Sequence, residues 1–106
     1  MTLDALIDTL PSYARDMKLN YSSLVRNNPE LTEQQLWGTL VASAMATRSA
    51  GLTAAVLESA VAHLSAPALE AAQAAAAVMS MNNVFYRFQH LSENEKYATM
   101  PARLRM

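Results

Sequence analysis

Leu31-Thr-Glu-Gln-Gln-Leu-Trp-Gly-Thr-Leu-Val-Ala-Ser-Ala-Met-Ala-Thr47 holds a helix start, a buried stripe and a smooth strip in one run. Thr32 and Gln35 make a capping box: the threonine hydroxyl accepts the Gln35 N–H, and the Gln35 side chain reaches back to the Thr32 N–H. A helix from about Glu33 to Thr47 follows. Leu36, Leu40 and Ala44, with Trp37 and Val41 beside them, recur at three and four and give it an apolar stripe. Gly38, Ala42 and Ala46 are spaced by four on another side. An interior glycine costs about 1 kcal/mol relative to alanine, so Gly38 is expected to mark the close approach of a second helix.

The same periodicity extends in both directions. Towards the amino end, Thr2 caps a helix from about Leu3 to Leu10, with Asp4 near its positive start and Leu3, Leu6, Ile7 and Leu10 as its stripe. Pro11 suits the first turn of a second helix. Tyr13, Met17 and Leu24, with Ala14 and Tyr21, give that helix an expected buried side to about Val25. Asn27-Asn28-Pro29 stops it, because a residue before proline is pushed out of the helical region. Towards the carboxyl end, Ser49 caps a fourth helix from Ala50 to Leu64, with Leu52, Val56, Leu57, Val61 and Leu64 inward. Ser65-Ala66-Pro67 opens a fifth, which crosses the alanine-rich run Ala71–Ala77 and extends to about Leu91, with Ser80–Asn83 as the place for a bend. The expected fold is all-α, a compact bundle of about five helices over residues 1–92. Residues 93–106 form a polar, aperiodic carboxyl-terminal segment in which Pro101 precludes a long helix.

At 106 residues the chain is one domain with a limited core. Half-apolar composition (52%) excludes a disordered tail, and a formal net charge of −1 with scattered Lys and Arg argues against nucleic-acid binding. No run of basic residues suits an anionic membrane, and no apolar stretch approaches the ~20 residues that span one. Asp4 and Asp8 stand where a secretory signal carries Lys or Arg, so a cytoplasmic location is expected. The chain has no cysteine, hence no disulfide framework and no thiol for chemistry. Alanines bury little area each, so the fifth helix gains little from a neighbour unless backbones come close. A domain built this way is expected to oligomerise or to bind a partner.

The side chains that carry chemistry elsewhere are isolated here. His63 and His90 each fall near the carboxyl end of a helix, where the dipole alone favours a cation; no ligand spacing accompanies either of them. Glu93 and Glu95 share a polar segment with Lys96 and read as solvated. No serine sits in a nucleophile elbow, Gly38 and Gly51 make no phosphate loop, and Met45, Met79 and Met81 read as core fillers. Asn82-Asn83 are poor helix formers. They are either a solvated helix edge or amides buried in a helix-to-helix contact. No catalytic, cofactor-binding or metal-ligating residue is therefore expected, and no cofactor.

Four blocks in order resemble one family. Leu10-Pro-Ser-Tyr-Ala-Arg-Asp-Met-Lys-Leu-Asn20, Gln35-Leu-Trp-Gly-Thr-Leu40, Met81-Asn-Asn-Val-Phe-Tyr-Arg87 and Ala102-Arg-Leu-Arg-Met106 are similar to signatures of the alkylhydroperoxidase D family, which is related to carboxymuconolactone decarboxylases. The likeness covers nearly the whole chain, and it is to the amino-terminal half of that family only. It implies an all-helical, cytoplasmic and commonly trimeric antioxidant enzyme with two related halves per subunit. It also implies a Cys-x-x-Cys pair that takes electrons from lipoyl groups and reduces a partner peroxiredoxin or hydroperoxides, with Glu and His moving protons. Those residues belong to the second half, and none can be carried onto a position here. The run from Leu36-Trp37 to Ser43-Ala44 is similar to the stretch that precedes the thiols in the catalytic half. By that likeness the two thiol places fall near Arg48 and Gly51.

Two readings follow. In the first, the chain is the amino-terminal scaffold half of such an enzyme and is inert alone, with residues 93–106 as a linker towards the second half. In the alternative, it is a non-enzymatic helical interaction protein derived from the same fold. A distinct enzyme built on His63 or His90 is a remote third.

Overall fold

The computed structural model describes residues 1–28 and 30–103. The Pro29 stop and the closing Leu104-Arg105-Met106 lie outside them. The described residues form six α-helices and no strand: α1 (Leu3–Asp8), α2 (Arg15–Arg26), α3 (Glu33–Ala46), α4 (Ala50–Ala60), α5 (Ala66–Ser92) and α6 (Glu95–Thr99). The all-helical reading holds.

Four helix starts stand where the sequence puts them. Thr2, Ser49 and Ser65 accept the N–H groups of Ala5, Leu52 and Ala68 at 3.2, 3.3 and 3.3 Å. Thr32 and Gln35 close the capping box at 3.1 and 3.0 Å. Each cap satisfies a backbone donor that the helix itself leaves open.

α3 is the hub. It packs on α4 and on the first half of α5, and α1 lies across α4. Leu36, Trp37, Val41 and Ala44 of α3 meet Leu3, Val56, Ala60 and Leu64 in the core, with Ile7, Tyr21, Val25, Leu69 and Ala72 at its margin. The Leu3 N–H donates to Ser59 Oγ at 2.9 Å and fixes α1 on α4.

Four expectations change. The second helix does not begin at Pro11. A 3₁₀ turn over Ser12–Ala14 intervenes, and α2 buries no residue. Tyr13 is 92% exposed and Met17 63%, whereas Ala14 is buried and Tyr21 and Val25 touch the core margin. The two stripes lie about 100° apart on the helix, and a single neighbour covers only one of them. Val61 is 64% exposed: as the C-cap of α4 it keeps a helical backbone, which turns it about 100° away from the buried Ala60. A sixth helix, capped by Asn94, forms inside the segment read as aperiodic. It returns onto α5 through an edge-on Phe88–Tyr97 contact and a hydrogen bond from Gln89 Nε2 to the Tyr97 carbonyl at 2.8 Å.

The fourth change concerns Gly38. A Cβ there meets nothing within 4 Å, so no helix approaches closely. The helix contacts of α3 run through its large residues, and the smooth strip is turned onto an open groove instead. α5 runs unbroken for 27 residues through Ser80–Asn83 and buries none of them. Its second half projects past the core, which accounts for a radius of gyration of 17.3 Å, against about 13 Å for a globular chain this long.

Candidate functional site

The corner between α3 and α4 is where the sequence likeness places the two thiol positions. Thr47 closes α3 and Ser49 caps α4, so Arg48 bridges two helices in a single residue. That bridge forces Arg48 into the left-handed region at φ 62°, a conformation that costs roughly 1 kcal/mol for a residue with a Cβ. Gly51 follows in the first turn of α4, with open space where a side chain would stand. A hollow of about 410 Å³ opens beside the corner, lined by Met45, Arg48, Ser49, Thr53, Ala54 and Leu57 among others.

The hydroxyl groups at this corner are engaged in backbone hydrogen bonds. The Thr47 and Thr53 hydroxyls both donate to the Ala44 carbonyl, at 2.6 and 3.1 Å, beside the Thr47 N–H at 3.1 Å. The Ser49 N–H donates to Thr47 Oγ1 at 3.2 Å, and Ser49 Oγ holds the cap. The lining holds no thiol, carboxylate or imidazole. A pair of thiols here would gain from the helix start, which favours a thiolate. Arginine and glycine in their places can neither exchange electrons nor form a disulfide.

His63 lies elsewhere, in the turn after α4. Its ring stacks on Trp37, with centroids 4.2 Å apart, and its Nδ1 meets Glu33 Oε1 at 2.6 Å. The sequence pointed to the helix dipole for this residue; the structure gives it a carboxylate and an indole. The missed signal is distributed, since Glu33, Trp37 and His63 come from two parts of the chain that only the fold joins. His90 sits in the last turn of α5 and is exposed. Among the described residues no three His, Cys, Asp or Glu side chains converge as a metal site. No helix in them is long and apolar enough to cross a membrane.

The amides divide. Asn83 is exposed, whereas Asn82 is half-buried and its Oδ1 is closed off from solvent with no hydrogen-bond partner among the described residues. Below it, on the same side of α5, lies a groove of about 680 Å³. It is lined by Gly38, Ala42, Ala68, Ala71 and Ala75 together with the polar Thr32, Gln35, Thr39 and Ser43. Small side chains on both helices leave the space unfilled.

Comparison with known proteins identifies the sequence behind this geometry. No family model matches the chain. It is 72% identical over all 106 residues to the alkyl hydroperoxide reductase AhpD of Acidobacterium capsulatum. It is 63% identical to that of Koribacter versatilis and 57% to that of Solibacter usitatus, again over its whole length. It spans only 58, 55 and 59% of those three relatives, a coverage consistent with an amino-terminal half. With its all-helical fold and its capped Leu36-Trp37 helix, the chain belongs to the alkyl hydroperoxide reductase AhpD family.

Proposed function

We propose that this chain is the scaffold half of an AhpD-type antioxidant enzyme, acting in the cytoplasm and supplying fold rather than redox atoms. The parent activity is lipoyl-linked dithiol reduction of a peroxiredoxin or of hydroperoxides. The single observation that carries the reading is a pairing: high identity to AhpD relatives along the whole chain, with no cysteine anywhere in it. A dithiol cycle needs two sulfurs that alternate between thiolate and disulfide and a group that takes their protons. The chain has carboxylates and imidazoles but no cysteine to supply either sulfur, so alone it is expected to be inert.

The test is a peroxide-consumption assay with a dihydrolipoyl reductant. The chain is assayed alone and after mixing with the remaining carboxyl-terminal part of the Acidobacterium capsulatum relative. No turnover alone, and turnover above that of the added part in the mixture, supports the scaffold reading. Turnover by the chain alone overturns it.

The second reading, a non-enzymatic interaction protein on the same fold, draws on α5, which spends 27 residues without burying one. The reading frame after Met106 separates the two. A frame that continues into Glu, Cys-x-x-Cys and His supports the scaffold; a stop supports the interaction protein.

A further inference from the structure

The seam between α3 and α5 is built from small side chains on both helices. Gly38 and Ala42 of α3, with Ala71 and Ala75 of α5, line the groove of about 680 Å³. From Thr32 to Ser43 its lining follows α3 for about three turns, ~16 Å at 1.5 Å per residue. Among the described residues no charged side chain lines it. Three of its polar side chains are already engaged, Thr32 and Gln35 in the capping box and the Thr39 hydroxyl on the Gln35 carbonyl at 2.7 Å. The groove therefore asks for shape rather than for charge or for a set of hydrogen bonds. Gly38 adds a cost to this: an interior glycine is worse than alanine by about 1 kcal/mol. The free chain gains no packing in return, since a Cβ there meets nothing within 4 Å.

The chain spans 58, 55 and 59% of three AhpD relatives, so more than two-fifths of each is left over. Its accessible surface is 7829 Å², while a folded monomer of 11.6 kDa is expected to expose about 5,800 Å². The excess of about 2,000 Å² exceeds the ~800 Å² that each partner gives to a standard interface. We propose that the α3–α5 seam receives the remaining part of an AhpD subunit, which lays a helix with large apolar side chains over Gly38, Ala42, Ala71 and Ala75. The placement rests on the scaffold reading and gives it a surface. Small residues on both walls admit a third helix at the short end of the usual 8–10 Å between axes. The same side of α5 continues the seam, since at about 100° per residue Met79 and Tyr86 stand in line with Ala71 and Ala75. Both are uncovered, at 49 and 54% exposed, and one occupant that follows α5 covers them too. A small polar ligand would find few free partners in the groove.

The test produces the 106-residue chain together with the tagged carboxyl-terminal part of the Acidobacterium capsulatum relative, so that neither has to fold alone. The parent chain is expected to be retained on the tag. Ala42→Leu and Ala71→Leu fill the groove and are each expected to lower retention by at least about tenfold. Ala77→Leu, the same change on the opposite and exposed side of α5, is expected to be retained like the parent. Circular dichroism of the three variants without the partner should match the parent, since each site is open in the free chain. Failure to retain the parent overturns the inference. So does retention of Ala42→Leu and Ala71→Leu at the parent level, or an equal loss with Ala77→Leu. A peroxide-consumption assay on the retained material separates this inference from the scaffold reading. Retention that is lost on filling the groove, without turnover by the parent complex, upholds the seam and counts against the scaffold reading. Turnover that survives both groove-filling changes upholds the scaffold reading and overturns the seam.

Discussion

The His63 imidazole lies flat on the Trp37 indole, centroids 4.2 Å apart and planes 4° from parallel, while its Nδ1 reaches Glu33 at 2.6 Å. The contact ties the turn after α4 to the first turns of α3, 30 residues earlier in the chain. Its two members carry unequal weight. Trp37 is 4% exposed in the centre of the core, and Trp37→Ala is expected to cost about 3–5 kcal/mol, a large share of the roughly 5–15 kcal/mol available to a small domain. The His63 and Glu33 side chains are 34 and 66% exposed, so solvent screens their pairing, and His63→Ala is expected to cost about 1 kcal/mol. Urea denaturation followed by circular dichroism separates them; equal losses would mean that the ring stack, and not indole burial, holds the corner.

Gly38→Ala is expected to stabilise the chain by up to about 1 kcal/mol, the helix-propensity difference between the two residues. The added methyl group meets nothing within 4 Å, so no steric cost offsets the gain. Thermal unfolding in dilute solution, where the groove stands empty, reads the effect directly. A lower midpoint than the parent chain would show that α3 is approached closely at Gly38.

Arg48→Gly tests the corner between α3 and α4. At φ 62° a Cβ crowds the following carbonyl, and glycine removes that strain, worth about 1 kcal/mol. Arg48→Val should move stability the other way, because a β-branched side chain tolerates the left-handed region least. Paired denaturation curves with opposite shifts are the expected result; the same sign for both would place the effect in the guanidinium instead.

What the sequence disclosed, and what it withheld, divides along the range of the interactions. Thr2, Thr32, Ser49 and Ser65 were legible as caps because a cap is made by a side chain and a backbone two or three residues away. The Leu36-Trp37-Val41-Ala44 stripe was legible because its period is set by the helix itself. Tyr13 and Met17 misled because α2 carries two apolar stripes, and only the position of its neighbour decides which one is covered. Gly38 misled for the same reason: a small residue permits a close approach without requiring one. The place near Arg48 and Gly51 rests on likeness to a family alone. Its chemistry was legible only as absent atoms. The Glu33–Trp37–His63 cluster was illegible, since its members meet only after α3 and α4 have folded together.

Tyr21 gives the stability a pH dependence at the alkaline end. Its hydroxyl donates to Asp4 Oδ1 at 2.8 Å and joins α2 to α1. Its phenol is pushed up from 10.0 to about 12, first by burial, then by the Asp4 hydrogen bond and the Asp4 charge, with Arg26 acting the other way. A folded value above the unfolded one means that the unfolded chain loses this proton first. The contribution is therefore complete below about pH 10 and is lost as the pH rises through about 12. The hydrogen bond is exposed, so the loss is small, under about 1 kcal/mol after screening. Tyr21→Phe is expected to lower stability below pH 10, and its deficit relative to the parent should shrink as the pH rises from there. Asp4→Asn should bring the phenol part of the way back, leaving the component due to burial. Absorbance at the tyrosinate band follows the titration; four tyrosines ionising in a single step near 10, the ordinary value, would contradict the assignment.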